Sequence, residues 1–274
     1  MGGRDDQGSI PRLPGPRFSQ SLERGLAILR CFTGKRTVLG IADMADQLGL
    51  SRPTTHRYAV TLVELGYLEQ DSARKYRLAA RVTDLGMSAI DSTGLREHAI
   101  GHLRDLARTT GFTAGLAVLN AEKVLYVERV TGPRVGRNPV DASLVIGSQA
   151  PAWRTAAGKI LLANLADSER TSLLAKIDLA GAGPEAIAAK NALKAELDRV
   201  REREVAIDDR EQAADLLAIA APICGPEGEV SAAIDLLASG EMITAENLLA
   251  SHGPLLASTA GRLSGELGYT PASH

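Results

Sequence analysis

The chain has 274 residues, of which 45% are hydrophobic, 23% charged and 3% aromatic, a composition typical of a globular protein and not of a disordered or collagen-like chain. So few aromatic residues argue against a protein that stacks single-stranded bases. The net charge of -2 is divided unevenly, since residues 1–80 hold 12 Lys and Arg against 8 Asp and Glu, whereas residues 81–274 hold 19 against 25. The basic front therefore predicts that the N-terminal part meets an anion such as nucleic acid.

The chain ends and the cysteines indicate a cytoplasmic protein without a membrane span. Residues 1–18 are rich in Gly and Pro and have no apolar core of a signal peptide, so we expect a disordered tail there and a second tail at 269–274. Cys31 and Cys224 form neither a zinc-ligand set nor a disulfide framework. No apolar run approaches the 18 residues that a membrane helix needs.

The segment 19–80 has the pattern of a helix-turn-helix. A first helix is predicted over Ser19–Phe32 and a second over Ile41–Leu48, followed by a turn at Gly49 and a third helix from the N-cap Ser51 to Leu65. The predicted buried stripes are Leu22, Leu26, Ile28, Leu29 and Phe32 on the first helix and Thr55, Tyr58, Ala59, Leu62 and Leu65 on the third.

The third helix and the hairpin after it supply candidate DNA contacts. The N-terminal residues of a recognition helix reach base edges in the major groove, and suitable donors occur there. Tyr67–Ala79 alternates apolar and polar residues around a polar turn, which predicts a basic wing along the phosphate backbone. The predicted DNA-binding residues are Ser51, Arg52, Thr54, Thr55, His56, Arg57, Arg74 and Lys75. A plain helical subdomain is the alternative, and the wing and basic balance disfavour it.

The rest of the chain is predicted to be α+β. Residues 81–110 have the pattern of a nearly continuous helix, in which 81–93 would link the DNA-binding domain to a second domain at 94–268. The predicted strands are Phe112–Leu119, Lys123–Val130, Ser143–Ile146, Leu217–Ile223 and Glu229–Leu237. The predicted helices are Thr155–Leu165, 186–203 and a last helix from Thr244 with a kink at Pro254.

Six segments resemble the IclR family of bacterial transcriptional regulators over about residues 19–268. They are SLERGLAILRCF, IADMADQLGLSRPTTHRYAVTLVELGYLEQD, KYRLAARVTDLG, LRDLARTTGFTAGLAVLNAEKVLYVERV, APAWRTAAGKILLA and LLAIAAPICGPEGEVSAAIDL. The resemblance implies a winged helix-turn-helix, a linker helix and a GAF-like effector domain with an antiparallel sheet flanked by helices. It also implies a homodimer or dimer of dimers that binds double-stranded operator DNA and represses or activates catabolic genes in response to a small effector.

The helix after Thr155 is the first candidate for the effector site. Small residues at Ala156, Ala157 and Gly158 leave N–H groups exposed at the positive end of a helix, where a carboxylate can bind. Close packing of the helix on the sheet is the alternative. The resemblance implies that Ala156, Ala157 and Asp209 lie at the effector pocket.

Other pocket positions depart from the family pattern. Asp235 and Leu237 stand where the resemblance implies small polar residues that touch the ligand. Arg154 replaces a usual His, and with Arg134 and Arg137 it is either a partner for a ligand carboxylate or a solvated side chain. These departures argue against a simple transfer of the family's smallest acids as effector, and leave an organic or aromatic acid as the expectation.

No motif predicts catalysis, a metal or a cofactor. Gly158-Lys159 lacks the first Gly and the Ser or Thr of a P-loop, because Trp153 and Ile160 occupy those positions. His98 and His102 form a possible metal pair without a third ligand, so packing is the preferred role. Two further hypotheses remain, an enzyme that uses the C-terminal pocket with Asp208 and Asp209 as acid and base, and a DNA-architectural protein without a ligand.

Overall fold

The computed structural model describes most of the chain and divides it into two compact units. The described residues are 18–34, 36–91, 94–133, 145–177, 179 and 184–270. The units are Met1–Ala89 and Ile90–His274. The predicted tails therefore lie mostly outside the described residues. The predicted linker helix contains the boundary between the units.

The first unit contains the predicted helix-turn-helix and hairpin. Its elements are α1 (Gln20–Arg30), α2 (Ile41–Leu48), α3 (Arg52–Glu64), β1 (Leu68–Gln70), β2 (Tyr76–Leu78) and α4 (Arg81–Asp91). Gly49 ends α2 at a φ of 63°, a left-handed conformation that suits Gly, and Ser51 then caps α3 by accepting from the Thr54 N–H. The core is formed by buried side chains such as Ile28, Met44 and Tyr76. These features confirm the sequence-based prediction of a winged helix-turn-helix.

The prediction that Leu22, Leu26 and Leu65 are buried is wrong for the single chain. Their exposed fractions are 64%, 49% and 51%. The buried side of α1 is set by Ile28 and by Phe32 just beyond the helix. At about 100° per residue, Leu26 lies about 160° and Leu22 about 120° around the helix from Ile28, so both face away from the buried side. Phe18, which precedes the N-cap Ser19, is exposed as well, so the start of α1 has an apolar stripe of Phe18, Leu22 and Leu26 that none of the described residues buries.

The first residue of α4 fastens this helix to the end of α3. Arg81 Nη1 donates to the carbonyl oxygen of Leu65 at 2.9 Å, and its guanidinium lies 5.7 Å from the centre of the Tyr67 ring. The Leu65 carbonyl belongs to the C-terminal turn of α3, where a helix leaves acceptors without intrahelical donors and favours a cation. The contact therefore fixes the start of the linker helix relative to the recognition helix.

The nearly continuous helical pattern predicted over 81–110 corresponds to two helices, separated at Gly94. Gly94 has a φ of 64° and stands at the N-cap of α5 (Leu95–Thr110), so α4 and α5 are separate helices. Residues 92 and 93, the end of the predicted linker, lie outside the described residues.

The second unit is built around a six-stranded antiparallel sheet of order β5-β4-β3-β8-β7-β6. Its elements after α5 are β3 (Thr113–Asn120), β4 (Lys123–Val130), β5 (Gln149–Pro151), a short 3₁₀ helix (Ala152–Arg154), α6 (Ala156–Ala163), α7 (Asp167–Lys176), α8 (Pro184–Arg203), β6 (Ala206–Asp209), β7 (Leu216–Cys224), β8 (Val230–Ser239) and α9 (Ala245–Glu266). One face of the sheet packs against α5 and α9. The opposite face, which we call the α6 face, packs against α6 and includes Tyr126, Ala218, Ala233 and Leu237.

Three details of the predicted second domain change. The short strand after the long loop is Gln149–Pro151; of the predicted strand 143–146, residues 143 and 144 lie outside the described part and the other two precede the strand in a turn. Asp208 and Asp209 end a strand, β6, and do not lie in a loop. The helix Asp167–Lys176 was not predicted, because its apolar residues are too few to form a clear stripe.

Gly158 allows α6 to lie directly on the preceding 3₁₀ helix, so Gly158→Ala is expected to destabilise the second unit. An added Cβ would be 2.1 Å from the Ala152 carbonyl oxygen, and a backbone atom cannot move aside freely. We expect a loss of about 1–3 kcal/mol in the free energy of unfolding. Urea denaturation followed through the fluorescence of Trp153 measures it.

Gly101→Ala is the matched control for this prediction. Gly101 lies within α5, and an added Cβ there meets nothing within 4 Å. Its substitution should stabilise the protein by about 0.5–1 kcal/mol through helix propensity alone. Equal effects of the two substitutions would contradict the close approach at Gly158.

Candidate DNA-binding and effector sites

The N-terminus of α3 and the wing form one groove with a volume of about 470 Å³. It is lined by Ile41, Arg52, Pro53, His56, Gln70, Arg74 and Tyr76. Three of the predicted DNA contacts, on α3 and in the wing turn, thus share one surface. The arrangement gives a positively charged concave edge beside an exposed helix N-terminus, which suits a phosphate backbone.

The exposed side of α3 presents further predicted contacts. Arg52, His56 and Arg57 are exposed, and the Arg57 guanidinium lies 5.6 Å from the centre of the Tyr58 ring. Ser51 Oγ lies 2.8 Å from Thr54 Oγ1, so these two hydroxyls serve the helix cap as well as facing solvent. The charged members of the set are therefore those with side chains free to approach DNA.

The predicted contact at Thr55 requires a correction. Thr55 is fully buried, and its hydroxyl donates to the carbonyl oxygen of Ser51 at 3.1 Å. Its side chain faces the core of the first unit and is not accessible to DNA in this conformation. The same residue was predicted to belong to the buried stripe of α3, and that part of the prediction is confirmed.

Arg74 and Lys75, the two basic residues of the wing turn, have different surroundings. Arg74 has a φ of 58° at the turn and faces the groove, whereas Lys75 Nζ lies 3.8 Å from Asp43 Oδ2 on α2. Lys75 is half exposed, so this ion pair is weak and does not prevent a phosphate contact. The structure also adds Tyr76 to the groove, a buried residue that sequence reasoning assigned only to the strand.

The N-terminus of α6 lies over the sheet as its small residues predict. Thr155 Oγ1 accepts from the Gly158 N–H at 3.0 Å, and Ala156 and Ala157 are buried on the α6 face. Asp235 and Leu237 are buried as well, and Asp235 shares this face because it alternates with Ala233 and Leu237 along β8. The structure thus brings four of the predicted effector residues to one face.

Asp235 is a buried carboxylate with few partners. Its Oδ2 accepts from the Tyr126 hydroxyl at 3.3 Å, and its Oδ1 lies against Gly115, where an added Cβ would be 2.3 Å away. Burial raises the pKa of Asp235 to about 6, although the Arg129 guanidinium and the Tyr126 hydroxyl act in the opposite direction. Gly115 is therefore the residue that makes room for the carboxylate.

Asp208 is a second buried carboxylate on the same face. It pairs across the sheet with Ala218, and its Oδ1 accepts from the Glu211 N–H at 2.8 Å and the Gln212 N–H at 3.4 Å. Burial raises the pKa of Asp208 to about 6, and the charge of Glu211 adds to the shift. The charge of Asp208 also raises the pKa of Asp235.

Asp209 borders a separate cavity at the edge of the sheet, with a volume of about 550 Å³. The lining includes Trp153, Lys159, Leu193, Glu196, Asp209 and Glu211. Lys159 is almost fully buried, donates to the Ile207 carbonyl oxygen at 2.9 Å and pairs with Glu211. Asp209 is exposed and pairs with Arg210 at 2.9 Å. Asp209 therefore lies at the mouth of this cavity and not beside Asp235.

Arg154, His98 and His102 each contact other groups of the protein. The Arg154 guanidinium is exposed and lies 4.5 Å from the centre of the Trp153 ring, while Arg134 and Arg137 lie outside the described residues. His98 Nδ1 is 2.7 Å from the Gly94 carbonyl oxygen, and His102 Nε2 is 2.9 Å from Glu266 Oε1. Within the described part of the chain, no group of three or more metal-ligating side chains occurs. No helix among those described is long and apolar enough to cross a bilayer.

Family models match both units. The model of the IclR helix-turn-helix domain matches residues 21–72, and that of the bacterial transcriptional regulator IclR C-terminal domain matches residues 87–265. The chain belongs to the IclR family. It is thus a ligand-responsive, DNA-binding transcriptional regulator, and its family is one of regulators and not of enzymes.

Relatives of this IclR-family regulator match it over most of their length. It is 34% identical to the HTH-type transcriptional regulator XynR of Escherichia coli over 79% of this chain and 85% of the relative. It is 30% identical to the p-hydroxybenzoate hydroxylase transcriptional activator of Acinetobacter baylyi over 90% and 91%. Among solved structures, an IclR homolog from Microbacterium hydrocarbonoxydans complexed with 4-hydroxybenzoate is 25% identical, with a TM-score of 0.74 over 90% of this chain and 98% of that one.

The buried charge of Asp235 is expected to make stability fall as the pH rises. Its pKa is about 6 in the folded protein and near 3.8 in the unfolded chain, so the folded state binds the proton more tightly. The carboxyl is neutral in both states below pH 4, and the full penalty, about 3 kcal/mol, is present above pH 6.

Asp235→Asn tests this expectation because the amide keeps the shape and cannot ionise. Its stability relative to the unsubstituted protein should increase between pH 4 and pH 6.5 and then level off. Denaturation curves at several pH values measure the difference. A difference that does not change with pH would show that folding leaves the pKa of Asp235 unchanged.

Proposed function

We propose that this IclR-family regulator acts in the cytoplasm as a homodimer whose affinity for operator DNA changes when a small organic or aromatic acid binds to the α6 face. Arg52, His56 and Arg57 would contact bases or phosphates from α3, and Arg74 and Lys75 would contact phosphates from the wing. The observation that favours this assignment most is the groove shared by α3 and the wing, with Arg52, His56 and Arg74 in its lining.

The homodimer is supported by the uncovered apolar stripe of α1. Leu22 and Leu26 lie four residues apart on one side of the helix, Phe18 precedes the N-cap, and the three side chains are 64%, 49% and 44% exposed. A second copy of the same stripe provides a self-complementary apolar surface, as the interface of a two-fold symmetric dimer requires. A dimer also places two recognition helices on one duplex, which is how helix-turn-helix proteins read symmetric operators.

The acid effector is supported by the start of α6 and by a structural neighbour. The first turn of a helix leaves N–H groups without intrahelical acceptors, and Thr155 accepts only that of Gly158. The buried positions at Ala156 and Ala157 have no side chain large enough to shield the helix end. The Microbacterium hydrocarbonoxydans neighbour binds 4-hydroxybenzoate, which has a carboxylate.

Regulation would follow from a difference in effector affinity between two arrangements of the dimer. A ligand that binds one arrangement more tightly shifts the population toward it. Coupling free energies between sites are typically about 1–3 kcal/mol, which corresponds to an affinity change of about 5–150-fold. Whether the effector strengthens or weakens operator binding follows from which arrangement fits the operator.

A ligand screen linked to DNA binding tests the proposal. The full-length protein is screened by thermal shift against small organic and aromatic acids, and saturation at 100 times the Kd should add about 2.7 kcal/mol of stability. Each stabilising acid is then added to the protein on its own promoter DNA. The proposal requires at least one acid that changes both the melting temperature and the DNA affinity. A DNA-architectural protein would show neither change.

Arg57→Ala is expected to weaken operator binding about 5- to 100-fold with no loss of folding, since one charge-assisted contact to DNA contributes about 1–3 kcal/mol. Fluorescence anisotropy with labelled promoter DNA at two salt concentrations measures the loss.

The control is Arg199→Ala on α8, which removes the same charge from an exposed i,i+3 pair in the second unit. It should leave DNA affinity unchanged within about twofold. If Arg57→Ala binds as tightly as Arg199→Ala, Arg57 does not contact DNA.

Leu22→Glu combined with Leu26→Glu is expected to raise the dimer dissociation constant at least tenfold, because four like charges would then face each other across the two-fold axis. Sedimentation equilibrium measures it. Met242→Glu, which alters an exposed apolar residue of the second unit, is the control and should leave association unchanged. An unaltered dimer in the double variant would exclude the α1 stripe as the interface.

A further inference from the structure

We infer that the Tyr76 hydroxyl is a DNA-contacting group, which donates a hydrogen bond to a backbone phosphate in the groove between α3 and the wing. This inference rests on the proposed function, which places DNA at that groove. It adds a neutral donor to a surface whose other proposed contacts are mostly basic, and it gives a binding role to a residue in the core of the first unit.

The first observation is a buried hydroxyl without a partner. Tyr76 is 1% exposed, and its hydroxyl has no hydrogen-bond partner among the described residues. Tyr126 is equally buried, but its hydroxyl donates to Asp235 Oδ2 at 3.3 Å. A buried polar group without a hydrogen bond lowers stability, and phenylalanine would fill the same space at no such cost. The missing partner of Tyr76 therefore indicates a ligand.

The second observation is the fixed position of Tyr76 beside the groove. Its backbone pairs with Gln70 of β1 on one side, and on the other it exchanges hydrogen bonds of 2.8 and 3.0 Å with Leu39. The side chain lines the groove together with Arg52 and His56 from the first turns of α3. Because the backbone is held on both sides, Tyr76 cannot withdraw from the groove, and a ligand in the groove is the partner that can reach its hydroxyl.

The third observation is that donors meet in this groove without an acidic group. The lining includes Arg52, His56 and Arg74 but no Asp or Glu. The side chains of these three residues make no hydrogen bond or ion pair with another residue that the structure describes. Burial raises the pKa of Tyr76, and the charge of the Arg74 guanidinium acts in the opposite direction, so this cation lies near the hydroxyl. The groove therefore lacks an acceptor, and the charges around it favour an anion.

A backbone phosphate is the acceptor that suits this groove. Its two free oxygens share one negative charge, so one oxygen can accept from Tyr76 and the other from Arg74. Tyrosine hydroxyls and helix N-termini are among the groups that contact phosphates in protein–DNA complexes, and the N-terminus of α3 borders the groove. The charged side chains of the lining are exposed, so they can change rotamer when the phosphate enters and reaches the hydroxyl.

Tyr76→Phe tests the inference on the full-length protein because it removes the hydroxyl and keeps the ring. The affinity for promoter DNA, measured by fluorescence anisotropy, should fall about tenfold, since a hydrogen bond to a charged group is lost. The melting temperature of the free protein, measured by scanning calorimetry, should rise by about 2–6 °C, since a buried hydroxyl without a partner is removed. A hydroxyl that only supports the fold would lose stability on substitution.

Two comparisons identify the acceptor as a phosphate. A phosphate contact carries no sequence information, so Tyr76→Phe should weaken binding to the promoter and to an unrelated duplex by the same factor, within about twofold. Because the hydroxyl is neutral, the slope of log affinity against log salt should stay unchanged in Tyr76→Phe, whereas Arg74→Ala should reduce its magnitude by about 1. A loss confined to the promoter would show a contact to a base and would overturn the inference.

Tyr67→Phe is the matched control in the same unit. Tyr67 lies outside the groove lining, and it contacts Arg81 through its ring, which phenylalanine retains. This variant should keep the DNA affinity of the unsubstituted protein within about twofold.

The outcomes separate this inference from the proposed function. Equal DNA affinities of Tyr76→Phe and Tyr67→Phe would overturn the role of the hydroxyl and leave the other proposed DNA contacts intact. A lower melting temperature of Tyr76→Phe would also overturn it, because the hydroxyl would then have a partner in the free protein. If inorganic phosphate alone stabilises the unsubstituted protein but not Tyr76→Phe, and the DNA affinities are equal, the hydroxyl binds a free anion instead. Failure of the unsubstituted protein to bind its promoter would contradict the proposed function itself.

Discussion

The close approach of α6 to the sheet is the constraint on which the effector domain depends. Gly158 lies so near the Ala152 backbone that a methyl group cannot be inserted, and Ala156 and Ala157 continue the line of small residues. The helix end is thereby held directly over β7 and β8. Close-packed interiors tolerate little extra volume, so the same small residues both define the fold and leave backbone N–H groups near the sheet.

A second consequence of this packing is the cost of the two buried aspartates. Asp208 and Asp235 lie among alanines and leucines, where an ionised carboxylate loses hydration that Tyr126 and two backbone amides replace only partly. Proteins retain such groups at sites where their chemistry is used, because stability alone would favour an apolar residue. The α6 face is therefore less stable than an apolar face of the same shape would be.

Much of this architecture could be predicted from the sequence because it follows from local patterns. The Ser51 and Thr155 caps and the Gly49 turn each depend on a few neighbouring residues, and the structure has them where they were predicted. Asp208 on a strand, the separate cavity at Lys159 and the burial of Asp235 depend on pairing between distant segments. Amino-acid order alone does not reveal such pairing.

The exposed leucines of α1 also show a limit of reasoning from amino-acid order. Periodicity indicates that Leu22 and Leu26 share an apolar side of the helix, but it does not say whether that side meets the same chain or another. Thr55 shows a related limit. A threonine hydroxyl at the start of a recognition helix can either contact DNA or bond to the helix backbone, and only the contact with Ser51 in the structure decides between the two.

The bond from Arg81 to the last turn of α3 has a mechanical consequence. A torque that turns α4 about its own axis acts on the Leu65 carbonyl through a guanidinium held on the other side by the Tyr67 ring. Either the hydrogen bond breaks or the recognition helix tilts with the linker. At the radius of a helix, a rotation of a few tens of degrees moves a side chain by more than an ångström, which is enough to misalign a donor with a base edge. Arg81 thus couples the angle of α4 to the angle of α3.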